Sequence, residues 1–248
     1  MSRVIILGIG MAFAALLGGW ELAVRHDSFL GFLLGQPSFI ASALVEDIVH
    51  AGLIGHVAFT LLAAALGLVF GAILGALAGF AVAYNKTGDI ALSPILNVLS
   101  VIPLFAVGPM TIFWFGQGIA SKIFLAALAS GLLAAALVYQ HVRSTPLAMR
   151  ELVTVMARNR SEVFRRVELP YASLSLMTNT RALFGVAVSG AVIGEFIGAD
   201  RGVGHYIIVA EGLYDVNRIW AGVFALSMGA VMLAWVGVQL EKFARSRL

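Results

Sequence analysis

Charged side chains almost vanish from six stretches of the chain, at residues 4–24, 57–84, 91–113, 122–141, 172–198 and 219–238. About 20 consecutive apolar residues cross the hydrocarbon of a bilayer. In lipid, each backbone N–H and C=O must be satisfied inside its own segment, so every stretch is predicted to be a transmembrane helix. The segment QPSFIASALVEDIVHAG, between the first two stretches, reads differently. Pro37 and Ser38 mark a helix start, and Phe39, Ile40, Ala43, Leu44 and Ile48 recur at helical spacing. Glu46, Asp47 and His50 make its other side polar, which predicts a helix over about 37–50 lying along the membrane interface.

Within the second stretch, LGLVFGAILGALAGF places Gly67, Gly71, Gly75 and Gly79 at every fourth position. In water, each glycine weakens a helix interior by roughly 1 kcal/mol relative to alanine. In lipid the balance changes, because helices associate by close packing and small residues let their backbones approach. The stripe therefore predicts a helix–helix contact, either within the chain or between two copies. Leu68, Val69, Ile73, Leu74 and Leu77 are left for the other faces.

Composition agrees with a multi-pass membrane protein. Only 12% of the 248 residues are charged and 60% are hydrophobic, whereas soluble chains carry about 25% charged residues. The net charge of +3 comes without a basic patch interleaved with aromatics, so no nucleic acid partner is expected. Basic residues instead mark topology. Eleven fall on one side, from Arg3 and Lys86 through Arg143, Arg150, Arg158, Arg160, Arg165 and Arg166 to Lys242, Arg245 and Arg247. Arg25, Lys122, Arg201 and Arg218 fall on the other, which puts both termini in the cytoplasm. The first stretch is followed directly by WELAVRH with no small-x-small cleavage site, so it reads as a retained helix.

Chemistry of the chain's own is not expected. GFAVAYNKT ends like a phosphate-binding loop, but Phe80 and Asn85 stand where that motif needs glycines. His26, His50, His56, His141 and His205 lack metal-ligand spacing, and the chain has no cysteine. Neither G-x-S-x-G nor H-E-x-x-H occurs. No cofactor or metal is therefore assigned to this chain.

The longest polar segment, about 142–170, contains HVRSTPLAMRELVTVMARNRSEVFRRVELP. Thr145-Pro146 is a cap followed by proline at the first helical position, predicting a helix to about Met156. Asn159 to Glu162 has capping-box spacing for a second short helix, and Leu169-Pro170 is read as closing the loop. Leu147, Leu152, Val155, Met156, Val163 and Phe164 are apolar residues outside the bilayer, free either for a partner or for the protein's own helix ends.

This segment resembles the EAA loop of bacterial ABC importer permeases. Glu151 matches the leading acid, and Val167, Leu169 and Pro170 match the hydrophobic-x-Leu-Pro ending, with 19 residues from Glu151 to Pro170. It departs from the pattern at Leu152-Val153, where alanines are usual, and at Ala157, where glycine is usual. Residues 93–116, Gln36-Pro37-Ser38 and GAVIGEFIGADRGVGHYI resemble, in order, further pieces of the nitrate, sulfonate and taurine branch.

The resemblance implies an all-α type I ABC importer permease with six transmembrane helices, residues 1–248 forming one permease domain. It also implies a bacterial inner-membrane location and a small anionic or organic solute delivered by an extracytoplasmic binding protein. A second copy of the chain would complete a homodimer, and two cytoplasmic ATPases would carry the ATP and Mg. Glu151, Leu152, Val155, Met156, Ala157, Arg158, Val163, Phe164, Leu169 and Pro170 would form the coupling surface. The competing class is a channel or scaffold that works without an ATPase.

Polar and helix-breaking residues inside the stretches suggest a path. Arg181, preceded by Asn179, lies deep enough to need a partner or water. It either faces a translocation path or bonds within the bundle. Pro103 and Pro109 interrupt the third stretch, and broken helices often line a site. Glu195, further along the Arg181 run, is expected to anchor the turn 200–205.

Overall fold

The computed structural model describes residues 2–84, 103–144 and 160–245, and every regular element among them is helical. In order these are α1 (Ser2–His26), α2 (Ser28–Leu34), α3 (Pro37–Val49), α4 (Leu53–Tyr84), α5 (Leu104–Phe115), α6 (Ile119–Ser144) and α7 (Arg160–Val163). A π-helical turn, Phe164–Glu168, leads into α8 (Leu169–Thr178), followed by α9 (Thr180–Ile197), α10 (Val203–Gly212) and α11 (Val216–Arg245). Five segments are long and apolar enough to cross a membrane: Leu7–His26, Leu53–Tyr84, Ile119–Ser144, Thr180–Ile197 and Val216–Trp235. These correspond to five of the six expected spans. The shorter α5 is the final part of the remaining one, whose first half lies outside the described residues.

The glycine stripe is an internal contact. Gly67, Gly71, Gly75 and Gly79 are all buried and face α6. A Cβ on each would lie 2.3 Å from Ala126 Cβ, 2.2 Å from Ser130 Oγ, 2.2 Å from Gly131 O and 2.6 Å from Ala135 O. The partner residues are small as well, so α4 and α6 run side by side with nearly touching backbones, as small-residue packing in lipid favours. Against the pair, α9 packs antiparallel to α6 and also touches α4. A Cβ on its Gly190 would meet Leu125 O at 2.7 Å. Ala63, Ala64, Ala126, Phe184, Ala187 and Ala191 form the core between these three helices. Val69, Ile73, Leu74 and Leu77 stay exposed on α4, where lipid would meet them.

Near the outer ends of the spans the chain makes an elbow. Gly35, at φ +71, separates α2 from α3, and the pair is bent by 43°. Gln36 N–H donates to Asn217 Oδ1 at 2.9 Å, while Arg218 Nε donates to Asp47 at 3.2 Å. Residues 36 and 47 stand about 16 Å apart along a helix, yet they reach consecutive residues of α11. So α3 lies across the end of α11 instead of running along it, in keeping with the expected interfacial helix.

Several expectations need correction. Asp47 does not face solvent on α3. It is 2% exposed, accepts from the Tyr206 hydroxyl and pairs with Arg218, while Phe39, Val45 and Val49 stay exposed. Such an arrangement suits a helix whose outer side meets lipid, because its one buried carboxylate is paired. The run 172–198 is not one helix. It is interrupted at Asn179 (φ −101, ψ 10), whose Nδ2 donates to Ser175 O at 2.9 Å. Competition of this kind between an Asn side chain and the helix ladder favours a break. Finally, Leu169-Pro170 does not close the 142–170 loop, because helical backbone continues through it from Arg160 to Thr178. In the wider π turn, Leu169 N–H reaches back to Phe164 O. That spacing absorbs the carbonyl clash and the missing N–H that a proline brings to a regular helix.

Candidate translocation path and coupling segment

Of the expected coupling residues, Glu151, Leu152, Val155, Met156, Ala157 and Arg158 lie outside the described residues. The remaining four sit at the joint leading into α8. Val163 is half-buried, whereas Leu169 and Pro170 are exposed. Phe164 packs against its own chain, edge-on to Phe80 at 5.1 Å and to Tyr84 at 6.0 Å between ring centroids. Of the two roles left open for it, the structure supports the protein's own helix end. The aromatic triad joins the π turn to the last turns of α4. Beyond it, α8 rests on α6, with Ala172 against Val138 and Val142 and Ser175 Oγ 3.0 Å from His141 Nδ1.

These contacts give the depth of Arg181. Ser175 opposite His141, and Gly190 opposite Leu125, set one antiparallel register that carries Arg181 to the level of Ala134 and Ala135 on α6. Val142, near the described end of α6, lies about 12 Å further along that helix at 1.5 Å per residue. At that depth a guanidinium is costly unless it is paired or meets water. Arg181 is exposed and has no hydrogen bond or ion pair with any described residue. The alternative of an internal partner in the bundle is therefore not realised among the described residues.

The surface around Arg181 is also unusual. Along α9 the exposed positions are Thr180, Arg181, Ala182, Gly185, Ser189 and Phe196, and a Cβ on Gly185 would touch nothing within 4 Å. On α4 the open face instead carries Val69, Phe70, Ile73, Leu74 and Leu77. Lipid-facing surfaces are large and apolar, so the small, polar stretch from Thr180 to Ser189 is suited to water or to another protein surface.

Pro103 and Pro109 do not join this strip. Pro103 caps α5 and Pro109 lies inside it. A Cβ on neighbouring Gly108 would meet Ile197 Cδ1, at the far end of α9. Ile197 is 16 residues, about 24 Å, from Arg181 along the helix. Asn179 is adjacent to Arg181 but spends its side chain on Ser175 O and Thr178 Oγ1.

The outer ends of α4, α6 and α9 are joined by a buried polar network. Glu195, 1% exposed, accepts from Thr60 Oγ1 at 2.8 Å and from Gly204 N–H at 2.7 Å. Thr60 Oγ1 in turn accepts from Val203 N–H at 2.9 Å. Gly202 takes φ +108, and a Cβ there would overlap the Glu195 carboxylate. Its N–H donates to His56 Nδ1 at 3.1 Å. Glu195 thus anchors the turn as expected. Lys122 was readable only as a topology marker, yet it is fully buried. Its ammonium donates to Gln117 O at 2.5 Å, Gly198 O at 2.6 Å and Ser121 Oγ at 3.2 Å. Three acceptors match the three donors of an ammonium. Its place at the start of an apolar helix, beside two glycine turns, was the available signal.

Among the described residues there is no cluster of His, Asp or Glu that could hold a metal ion. The arrangement offers a small, polar stretch on α9, a rigid network at one end of the bundle and, at the other, a helical lead from the 142–170 segment into α8.

Comparisons with known proteins agree. A protein of Chloroflexus aurantiacus named riboflavin transport system permease protein RibX is 30% identical, over 95% of this chain and 88% of its own. The putative aliphatic sulfonates transport permease protein SsuC of Bacillus subtilis is 28% identical over 94% of this chain and 82% of its own. The taurine transport system permease protein TauC of Escherichia coli is 27% identical, over 94% and 86%. Among solved structures, an inward-facing MetNI methionine ABC transporter superposes with a TM-score of 0.66 at 20% identity, covering 76% of this chain and 94% of its own. This superposition shows the fold of a type I ABC importer permease. Residues 67–246 match the family described as binding-protein-dependent transport system inner membrane component. The chain belongs to that family of ABC transporter permeases and is a multi-pass inner-membrane transport protein.

Proposed function

We infer that the chain forms, with a second copy of itself, the translocation path for a small anionic or organic solute, and that Arg181 faces that path. The observation that carries this reading is Arg181, exposed on α9 beside Thr180, Ala182, Gly185 and Ser189, without a partner among the described residues and about 12 Å from the level of Val142 near the end of α6. Its positive charge favours anions. Pro103, Pro109 and Asn179 act by shaping their helices.

An extracytoplasmic binding protein delivers the solute, and two cytoplasmic ATPases bind ATP and Mg and drive the cycle. Residues 142–170 dock on the ATPases, with Glu151, Leu152, Val155, Met156, Ala157 and Arg158 nearest to them. Val163, Leu169 and Pro170 continue that surface toward the membrane, and both termini lie in the cytoplasm. Alternating access then requires two packings whose balance nucleotide and solute shift.

Uptake into proteoliposomes containing the permease, its ATPase and its binding protein tests the reading. Arg181→Lys should keep part of the uptake and Arg181→Met very little, with both variants inserted at wild-type levels. Wild-type uptake by Arg181→Met would overturn it.

A further inference from the structure

We propose that α2, together with the Leu213–Tyr214 turn, dips back into the outer leaflet and is held there by lipid acyl chains. The geometry of the elbow requires a descent. Asp27 caps α2 directly after α1 ends, accepting from Phe29 N–H at 2.8 Å. Gly31 then lies against α1, where a Cβ would be 3.3 Å from Val24 Cγ1. By Ser38 the chain is level with Glu21, since Ser38 N–H donates to Glu21 Oε2 at 3.1 Å and Gln36 Nε2 to Glu21 Oε1 at 2.7 Å. Glu21 is five residues, about 8 Å, inside the outer end of α1. So α2 runs back beside the last turns of a segment that itself spans the membrane.

The surface of α2 suits lipid. Its seven residues, SFLGFLL, carry no charge and none is buried by the protein. Phe29, Phe32, Leu33 and Leu34 are all exposed, and this surface adjoins the exposed Leu22 of α1. In water these four side chains would leave a contiguous apolar surface in solvent. Across from it, Tyr214 adopts φ +55, a conformation rare for a bulky residue, and stacks on Phe32 with centroids 6.4 Å apart. The stack ties the α10–α11 turn to α2. Continuity with a membrane span and the absence of charge favour acyl chains over a protein partner.

The chain has no cysteine, so single-cysteine variants can be spin-labelled directly. Labels at Phe32→Cys and, separately, Leu33→Cys would be placed in the full-length permease in vesicles of phosphatidylethanolamine and phosphatidylglycerol. Leu22→Cys gives the lipid reference and Arg201→Cys, in the exposed turn after α9, the aqueous one. Collision with oxygen should dominate at 32 and 33 as it does at 22, and collision with a water-soluble nickel chelate should be lost. Nickel accessibility at 32 and 33 matching that at 201 would overturn the proposal, since the surface would then be open to water and available to a protein partner. Two positions on α2 guard against a single disruptive substitution.

Discussion

Placing a methyl group on Gly75 tests how closely α4 and α6 are packed. A Cβ there would lie 2.2 Å from Gly131 O and 2.9 Å from Ala134 Cβ, and the nearest atom is backbone that cannot rotate away. Ordinary contact begins at 3.4 Å, so the helices must part by about 1.2 Å, and a gap of 0.5–1 Å already forfeits about a quarter to a half of each dispersion well. Overpacking of this kind costs about 1–3 kcal/mol. For a chain of this size, about 2 kcal/mol corresponds to a Tm lower by roughly 4–8 °C. Gly75→Leu should be worse. Three controls sharpen the test. Leu74 is 62% exposed, so Leu74→Ala should stay within about 0.5 kcal/mol of wild type. Gly131→Ala meets Gly71 O at 3.2 Å and should be milder than Gly75→Ala, and Gly185→Ala meets nothing within 4 Å and should be silent. Thermal denaturation and size-exclusion profiles in detergent would rank the four. A Tm for Gly75→Ala equal to that of Leu74→Ala would refute the close-packing argument.

Other variants probe the two ends of the bundle. Glu195→Ala leaves Gly204 N–H without its acceptor, at about 1–3 kcal/mol for that buried orphan, while Thr60 Oγ1 keeps His56 O, and should raise proteolysis in the 198–204 turn. Lys122→Met strands the Gln117 and Gly198 carbonyls and should lower Tm by a comparable amount, while Lys122→Arg should not restore it because the pocket is closed around a point charge. Phe164→Ala removes the half-buried ring held by Phe80 and Tyr84, so it should destabilise that end of α4 by about 1 kcal/mol or more. Undiminished stability would place the ring outside the packed joint.

How much of this was legible varies with the physics involved. Gly67, Gly71, Gly75 and Gly79 could be read as a packing stripe because spacing of four on a helix fixes one face, whatever lies opposite. The opposing Ala126, Ser130, Gly131 and Ala134 could not be paired with them from spacing alone, since register between two helices is a tertiary property. Arg181 stood out because charge in lipid is expensive, but the missing internal partner required coordinates. The loop ending at Pro170 was misread for a local reason. Proline is a helix breaker only in a regular 3.6-residue ladder, and the π turn at Phe164–Glu168 is invisible to periodicity. Asp47 was misassigned because a polar face on an interfacial helix normally meets water. Here Tyr206 and Arg218, more than 150 residues away in sequence, supply its partners.

The unbroken backbone from Arg160 to Thr178 has a mechanical consequence. A flexible tether at Pro170 would dissipate any displacement of the cytoplasmic loop before it reached the membrane. A helix cannot, so a push applied at its foot is delivered as rotation of a rod. The ten residues of α8 make a rod of about 15 Å, and a tilt of about 10° moves its far end by roughly 2.6 Å. That far end is Asn179, where the ladder is already interrupted, and Arg181 is two residues beyond. The weak point of the helix thus stands where leverage is greatest, so under the proposed coupling a small motion of the loop would change the aim of one guanidinium.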